Sequence, residues 1–456
     1  MNNASLHIVI LAAGKGTRMY SQLPKVLHQI GGLPLVQHVI NTAQNLQPAS
    51  IQVVIGHGKE LVQAQIASDV TWIVQDQQLG TGHAVKCALP NLPQDGKTLI
   101  LYGDVPLTDL ATLEQLLQAA GDEVGLLTDV LEKPSGYGRI IRNEQGICAI
   151  VEEKDADAAQ KSIHEINTGI LVLPNKHIEK WLSTLQNSNA QGEYYLTDVI
   201  ALAVQDGITV HGMAVRDSYL AAGINNKLQL AEIERIYQAN QAQQLMTAGI
   251  TLRDPNRFDL RGSLQHGQDC TIDVNVLIEG TCQLGNNVEI GANCVLSNVV
   301  IGDGCHIAPF SHLSDCVVGK DARIGPFARL RPNAQLGDGV HIGNFVEVKN
   351  SQVGNGSKVN HLSYIGDASI GTDTNIGAGS ITCNYDGVNK FKTTVGDNVR
   401  IGSGTMMVAP ITIGNQATTG AGSVITKDCP PDQLTIGRAR QISLEKWQRP
   451  EKTDNK

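Results

Sequence analysis

Residues 270–296 read CTIDVNVLIEGTCQLGNNVEIGANCVL, and the aliphatics Ile272, Ile278, Leu284, Ile290 and Leu296 stand six apart. The ladder continues through Ile301, Ile307, Leu313, Val318, Ile324, Leu330, Leu336, Ile342 and Val348. It resumes at Val353, Val359, Ile365, Ile370 and Ile376, and again from Val395 through Ile401, Met407, Ile413 and Thr419 to Ile425, with occasional five-residue steps. Period six is neither helical nor simple strand alternation; it marks a parallel β-helix in which each hexad is one short strand plus a corner. The aliphatic points inward, and the Gly that often follows it, as in Ile290-Gly291 and Ile376-Gly377, is expected to turn the corner. Three hexads per coil predict roughly eight coils, a prism on the order of 40 Å long. Ser380 to Thr394 does not keep the period and is expected to loop out of the wall.

A chain of 456 residues has room for at least two domains. The 47 glycines and only 4% aromatics suit a Gly-rich solenoid with an aliphatic core, and the net charge of -9 argues against a general nucleic-acid binder. No apolar run is long enough to span a bilayer and the first residues lack a signal peptide's basic start, so a soluble, cytoplasmic protein is expected. The cysteines lack CxxC spacing. Cys270, Cys282, Cys294, Cys305 and Cys316 each sit two places before a ladder aliphatic and read as small residues packed inside the wall.

Towards the amino terminus, Leu6 to Leu11 is a buried strand running into Ala12-Ala13-Gly14-Lys15-Gly16-Thr17-Arg18-Met19. Strands at 51–55, 71–74, 98–102 and 124–128 alternate with amphipathic helices near 34–47, 59–68, 81–88 and 109–120, which predicts a doubly wound Rossmann-like α/β sheet. The two glycines alone are equally compatible with a tight turn. Lys15, Arg18 and Lys25 shift the balance towards phosphate binding, because so many cations suit a triphosphate beside a sugar phosphate. Asp104, after the strand ending at Tyr102-Gly103, is either a turn residue or a ligand for a hard cation; beside a basic Gly-loop the metal is favoured. The loop Gln75 to Gly82 suits reading a base edge by amide hydrogen bonds, with a solvated loop as the alternative. Tyr137 to Glu152 and Glu165 to Gly169 form a hairpin and a return strand able to line a sugar pocket.

Lys227 to Ala248 is a helical run, read as a strut between a first domain (1–226) and the coil (251–456), with the linker at 227–250. On the coil, Arg331 and Lys349 lie three ladder steps apart and so stack one coil apart on one face. Two unpaired cations so placed point to an anion between them. Tyr364 is expected on the same face one coil on, with His361 at the corner before it.

The ordered motifs LAAGKGTRM, LPKVLH, QLGTGHA, YGDVPL, GYGRI, VEEKD, EINTGI and GEYYLTD, joined to a hexad coil, resemble the bacterial family of bifunctional N-acetylglucosamine-1-phosphate uridyltransferase and glucosamine-1-phosphate N-acetyltransferase over essentially the whole chain. The resemblance implies that the first domain couples N-acetylglucosamine 1-phosphate to UTP, with pyrophosphate leaving. Leu11, Ala12, Ala13, Gly14 and Lys25 would contact the nucleotide, and Gln75, Gly80 and Thr81 the uridine. Tyr102, Gly103 and Asp104 would line the same site; Gly138, Glu152 and Asn167 would bind the amino sugar. Asp104 and Asn225 would hold Mg²⁺, while Arg18 and Lys25 stabilise charge on the phosphates. One departure stands before that Asn: the family pattern usually has an acidic residue where this chain reads Ala221-Ala222-Gly223.

The coil, by the same resemblance a left-handed hexapeptide-repeat β-helix of a homotrimer, would acetylate glucosamine 1-phosphate from acetyl-CoA. His361 would be the general base; an imidazole, with unperturbed pKa about 6.5, suits that role at neutral pH. Arg331 and Lys349 would clamp the phosphate, and Tyr364, Asn375 and Asn384 would orient the sugar. Ala378, Asn384, Tyr385, Ser403, Ala421 and Arg438 would contact coenzyme A, and the tail 445–456 would fold over it or remain disordered. The implied product, UDP-N-acetylglucosamine, feeds peptidoglycan and lipopolysaccharide synthesis. Two other readings stand beside this one: a single-site nucleotidyltransferase with a regulatory coil, and a coil that is a passive assembly scaffold.

Overall fold

The computed structural model describes residues 5–450, so the end of the expected tail, 451–456, lies outside the described residues. The chain divides into two compact units, residues 1–240 and 241–456. In the first, alternation along the strand Leu6–Ala12 builds two cores. Ile8, Ile10 and Ala12 face one, with the helices Leu35–Asn45 and Leu110–Ala120; Val9, Leu11 and Ala13 face the other, with the helices Thr81–Ala88 and Asn175–Thr184. Across the sheet the strands run Val210–Ala214, Val124–Val130, Glu165–Pro174, Lys97–Tyr102, Leu6–Ala12, Ser50–Ile55 and Thr71–Val74. All pair in parallel except Glu165–Pro174. The order reverses at Leu6–Ala12, so the Gly-rich loop and Asp104 leave the sheet at a topological switch point, where such sheets bind ligands.

The second unit is a left-handed parallel β-helix. One wall carries eleven parallel strands, from Thr251–Leu252 to Leu434–Thr435, rather than about eight, because rungs built on Leu252 and on Thr435 extend the coil past both ends of the aliphatic ladder. The other two walls share a sheet whose long strands, such as His312–Val318, cross a corner before the sheet forks into two rows. Ladder residues from Ile272 to Ile425 are buried. Cys270, Cys282, Cys294, Cys305 and Cys316 join them as free thiols. Burial pushes Cys294 up to about 11 and Cys316 up to about 12, which keeps these thiols protonated and inert.

Two expectations need correction. Apart from Gly325, at φ 94, the glycines directly after the ladder residues do not take a left-handed conformation; Asn287, Asn293, Asp321 and Asn398 are among the residues that do, each at positive φ. Gly377 is required for another reason: a Cβ there would lie 2.5 Å from Ile401 O and Ser403 N of the next coil. The excursion is also shorter than 380–394, because Ile381–Cys383 and Thr393–Val395 remain in the walls and only 384–392 loops out. Thr382 occupies the inward place six after Ile376. Its hydroxyl accepts from Gly366 N at 2.7 Å and lies 3.0 Å from Gly366 O, so a polar side chain serves where an aliphatic is the rule.

The helix Lys227–Thr247 contributes Ile233 to a core with Ile30, Leu35 and Ile224 in the first unit, and its last turns put Ala242 and Leu245 into the core of the second. No described helix is long and apolar enough to cross a membrane. Thr382→Val leaves the buried Gly366 N–H unpaired and is expected to cost about 1–3 kcal/mol, read as a lowered denaturant midpoint with an unchanged slope.

Candidate active sites

A cleft of about 530 Å³ opens at the switch point. Leu11, Ala12, Ala13, Gly14, Lys25, Gln75, Gly80, Thr81, Tyr102 and Asp104 all line it, together with Lys15, Gln78 and Glu193. A Cβ on Gly14 would meet nothing within 4 Å, so the backbone there is open to a ligand. Gly16, at φ 59, is different: a Cβ would stand 2.6 Å from Lys25 Cβ, so the glycine lets the loop close on the Lys25 stem.

Lys25 Nζ forms an ion pair with Asp104 Oδ2 and donates to Asn225 Oδ1 at 3.1 Å. Arg18 Nη2 donates to the same Asn225 oxygen at 2.9 Å. A carboxylate and an amide oxygen converging on one positive charge form the donor set of a hard divalent cation that takes its remaining ligands from phosphate and water. Among the described residues no group of three or more His, Cys, Asp or Glu could hold a metal. The Ala221-Ala222 departure leaves this arrangement intact. Ala221 packs into the core and Ile224 N donates to Asp104 O at 2.9 Å, which brings Asn225 beside Asp104.

Gly138, Glu152 and Asn167 come together beside this cleft. Asn167 N donates to Gly138 O at 2.8 Å, and a Cβ on Gly138 would lie 3.5 Å from Glu152 Oε2. Gly103 sits against Ala12, where a Cβ would be 3.1 Å from the Ala12 Cβ. Burial raises the Glu152 carboxyl above its ordinary range, as do Asp198, Asp155 and Glu193, while the Thr197 hydroxyl, which donates to Oε1 at 2.9 Å, opposes the shift. Burial also raises the Tyr102 phenol, with help from Glu152 and Asp104.

On the coil, Leu330 pairs with Val348 and Val348 with Ile365, which puts Arg331 and Lys349 on one wall one coil apart. Arg331 is not an unpaired cation: its Nη1 donates to Glu347 Oε1 at 2.7 Å. Lys349 faces a like charge instead. Lys390, from the 384–392 loop, holds the Lys349 ammonium below its usual range, with desolvation and Arg331 adding and Asp367 opposing. Tyr364 is on the same wall but in register with Glu347, and Gly366 is the residue opposite Lys349. A Cβ on Gly366 would be 2.5 Å from Tyr364 Cζ, so the glycine makes room for the ring.

His361 ends the strand Lys358–His361 at the corner before Tyr364. Its Nδ1 lies 3.0 Å from Asn344 Oδ1, one coil below. Backbone bonds then climb the corner: Gly379 N to His361 O at 3.0 Å, Gly404 N to Ala378 O at 2.7 Å, and Gly422 N to Ser403 O at 2.8 Å. Arg438 Nη1 donates to Ala421 O at the top. Thus Ala378, Ser403, Ala421 and Arg438 form a column above His361. Asn384 Nδ2 donates to Asp367, and Tyr385 opens the loop, 60% exposed. Asn375 stands apart from Tyr364 and Lys349, on the wall of His361 between Lys358 and Arg400. Sequence reading missed Asn344, although stepping one 17-residue coil back from His361 finds it; Lys390 sits off the ladder and left no periodic signal.

Family models match a MobA-like NTP transferase domain at 8–138, a hexapeptide repeat of succinyl-transferase at 283–308 and a GMPPB C-terminal domain at 312–418. The "Bifunctional protein GlmU" of Neisseria meningitidis serogroup B is 64% identical over 453 residues, 99% of each chain. The chain belongs to the bifunctional GlmU family. Relatives of the same name from Chromobacterium violaceum and Dechloromonas aromatica are 61% and 56% identical, each over 98% of this chain and 99% of theirs. As a GlmU protein the chain is a bifunctional enzyme, a uridyltransferase and a glucosamine-1-phosphate acetyltransferase, and the single-site reading is not favoured.

Ionised Glu152 is the costlier state in the folded GlmU chain, so it subtracts stability above its raised pKa; the penalty fades as pH falls and the carboxyl protonates. Glu152→Gln is therefore expected to raise the melting temperature near neutral pH, with a gain that shrinks towards about pH 4 as the carboxyl takes up protons in the folded and unfolded states alike. Thermal melts at the two pH values check the sign.

Proposed function

We propose that the cleft of the first unit is the uridyltransferase centre and the coil corner at His361 the acetyltransferase centre. The observation carrying this reading is that each unit brings cations to one place beside a group able to hold a metal or take a proton. Residues 1–226 would then form the first catalytic domain, 227–250 its linker and 251–456 the second.

In the first centre, Lys25 and Arg18 meet the charge that develops as a phosphate oxygen of N-acetylglucosamine 1-phosphate attacks the α-phosphate of UTP and pyrophosphate leaves. Leu11 to Gly14 present backbone to the nucleotide, Gln75, Gly80 and Thr81 read the uridine, and Gly138, Glu152 and Asn167 hold the sugar. Asp104 and Asn225 hold Mg²⁺, which when bound supplies charge neutralisation on the phosphates. Lys25, which contacts both oxygens, would be free to pair with a substrate phosphate when the cation is held there.

In the second centre the amine of glucosamine 1-phosphate attacks the acetyl thioester. With Asn344 Oδ1 accepting, the His361 proton sits on Nδ1 and leaves the Nε2 lone pair free to take the ammonium proton; coenzyme A departs as thiol. Arg331, Lys349 and Lys390 hold the substrate phosphate, an anion that relieves the crowding at Lys349. The corner column of Ala378, Ser403 and Ala421 gives the pantetheine arm a smooth lane, with Arg438 at its end and Asn384 and Tyr385 beside it. Asn375, one wall away from Lys349, would reach the sugar of a neighbouring subunit in a homotrimer. The setting is cytoplasmic, where UTP and acetyl-CoA are made.

Each unit holds its own chemistry, so His361→Ala is expected to lower acetyl transfer at least about 100-fold and leave uridyl transfer within about twofold. Asp104→Ala is expected to do the reverse. Separate assays with glucosamine 1-phosphate plus acetyl-CoA, and with N-acetylglucosamine 1-phosphate plus UTP, read the two outcomes; loss of both activities in either folded variant would contradict independent centres.

A further inference from the structure

Gln75 is buried to 3% exposure, and its amide has little freedom. Its Nε2 donates to Gly80 O at 3.2 Å, and a carbonyl oxygen can only accept, so the amide nitrogen must face Gly80. The second N–H points at His83 Nδ1, 3.0 Å away. That nitrogen must then be the acceptor, so the ring proton sits on His83 Nε2, which faces Cys87 Sγ at 4.0 Å, a weak acceptor. Both N–H groups of the amide are thus spent on protein. Its Oε1 is left over, no donor among the described residues reaches it, and Gln75 lines the nucleotide cleft.

We propose that His83 is a positioning residue that fixes the Gln75 amide with its oxygen towards the cleft, and so makes the first centre selective for a pyrimidine carrying an imide N–H. The inference rests on the reading that Gln75 recognises the base. A fixed amide oxygen accepts the N3–H of uracil. Cytosine offers a lone pair at N3, and two acceptors face to face repel, leaving both unpaired on burial. Turning the amide over would reverse the preference, and it is His83, in addition to Gly80, that opposes the turn. His83 sits on the helix Thr81–Ala88 outside the lining of the nucleotide cleft, and so acts through Gln75.

The test measures kcat/KM for UTP and for CTP, with N-acetylglucosamine 1-phosphate as acceptor, in the full chain and in three variants. His83→Leu removes the acceptor and is expected to raise KM for UTP with kcat nearly retained, and to shrink the UTP over CTP preference about tenfold. His83→Asn, whose Oδ1 can take the place of Nδ1, is expected to keep the preference within about twofold of the parent. Gln75→Ala is expected to collapse the preference. Should Gln75→Ala lower it and His83→Leu not, the positioning role is overturned while the base reading stands. Should Gln75→Ala leave it unchanged, the base reading fails and takes the inference with it. Equal losses for UTP and CTP in both His83 variants would reduce His83 to a packing residue; circular dichroism and the thermal transition of the same samples report that the first unit is folded.

Discussion

The coil depends on burying one inward side chain every six residues along three walls. That requirement fixes register, because a slip by one residue would turn every aliphatic outward. With register fixed, the outward residues have no freedom of place. Asn344, His361, Ala378, Ser403 and Ala421 share one corner because each stands at the same offset from a buried rung, and backbone hydrogen bonds tie each coil to the next. The close approach of coils that forces glycine at 377 is the same constraint in another form. A column of outward side chains on such a scaffold is rigid without any dedicated packing of its own.

Charge organises both centres, by opposite routes. In the cleft, Asp104 pairs with Lys25 and the neutral Asn225 amide accepts from both Lys25 and Arg18, so the cations wait at the switch point with one of them neutralised locally. On the coil, Glu347 serves Arg331, while Lys349 is left facing Lys390. Under the proposed reading, a dianionic substrate phosphate would offset that repulsion on arrival. The raised carboxyl of Glu152, crowded by Asp198, Asp155 and Glu193, is the acidic counterpart beside the cleft.

Much of this was legible in the sequence. Period six and the alternating apolar strands are direct consequences of burial, and both units follow from them. The Gly-loop cations and Asp104 were readable because a switch point gathers strand ends that are far apart in sequence. What stayed hidden was set by contacts without a period. Thr382 replaces an aliphatic by satisfying Gly366, which no hydrophobic pattern reports. Lys390 comes from the loop, and the Arg331–Glu347 pair requires knowing that two short strands lie side by side. The role of glycine was misassigned for a similar reason. Asn, Asp and glycines such as Gly304 and Gly404 share the left-handed corners, while most glycines directly after a ladder residue answer to the neighbouring coil.

The most direct measurement is product analysis of the purified protein given glucosamine 1-phosphate, acetyl-CoA, UTP and Mg²⁺, with each left out in turn. Two centres working in sequence predict UDP-N-acetylglucosamine from the full mixture, N-acetylglucosamine 1-phosphate alone when UTP is omitted, and unconsumed glucosamine 1-phosphate when acetyl-CoA is omitted. Acetyl transfer that stops whenever UTP is withheld would contradict a coil corner able to act by itself.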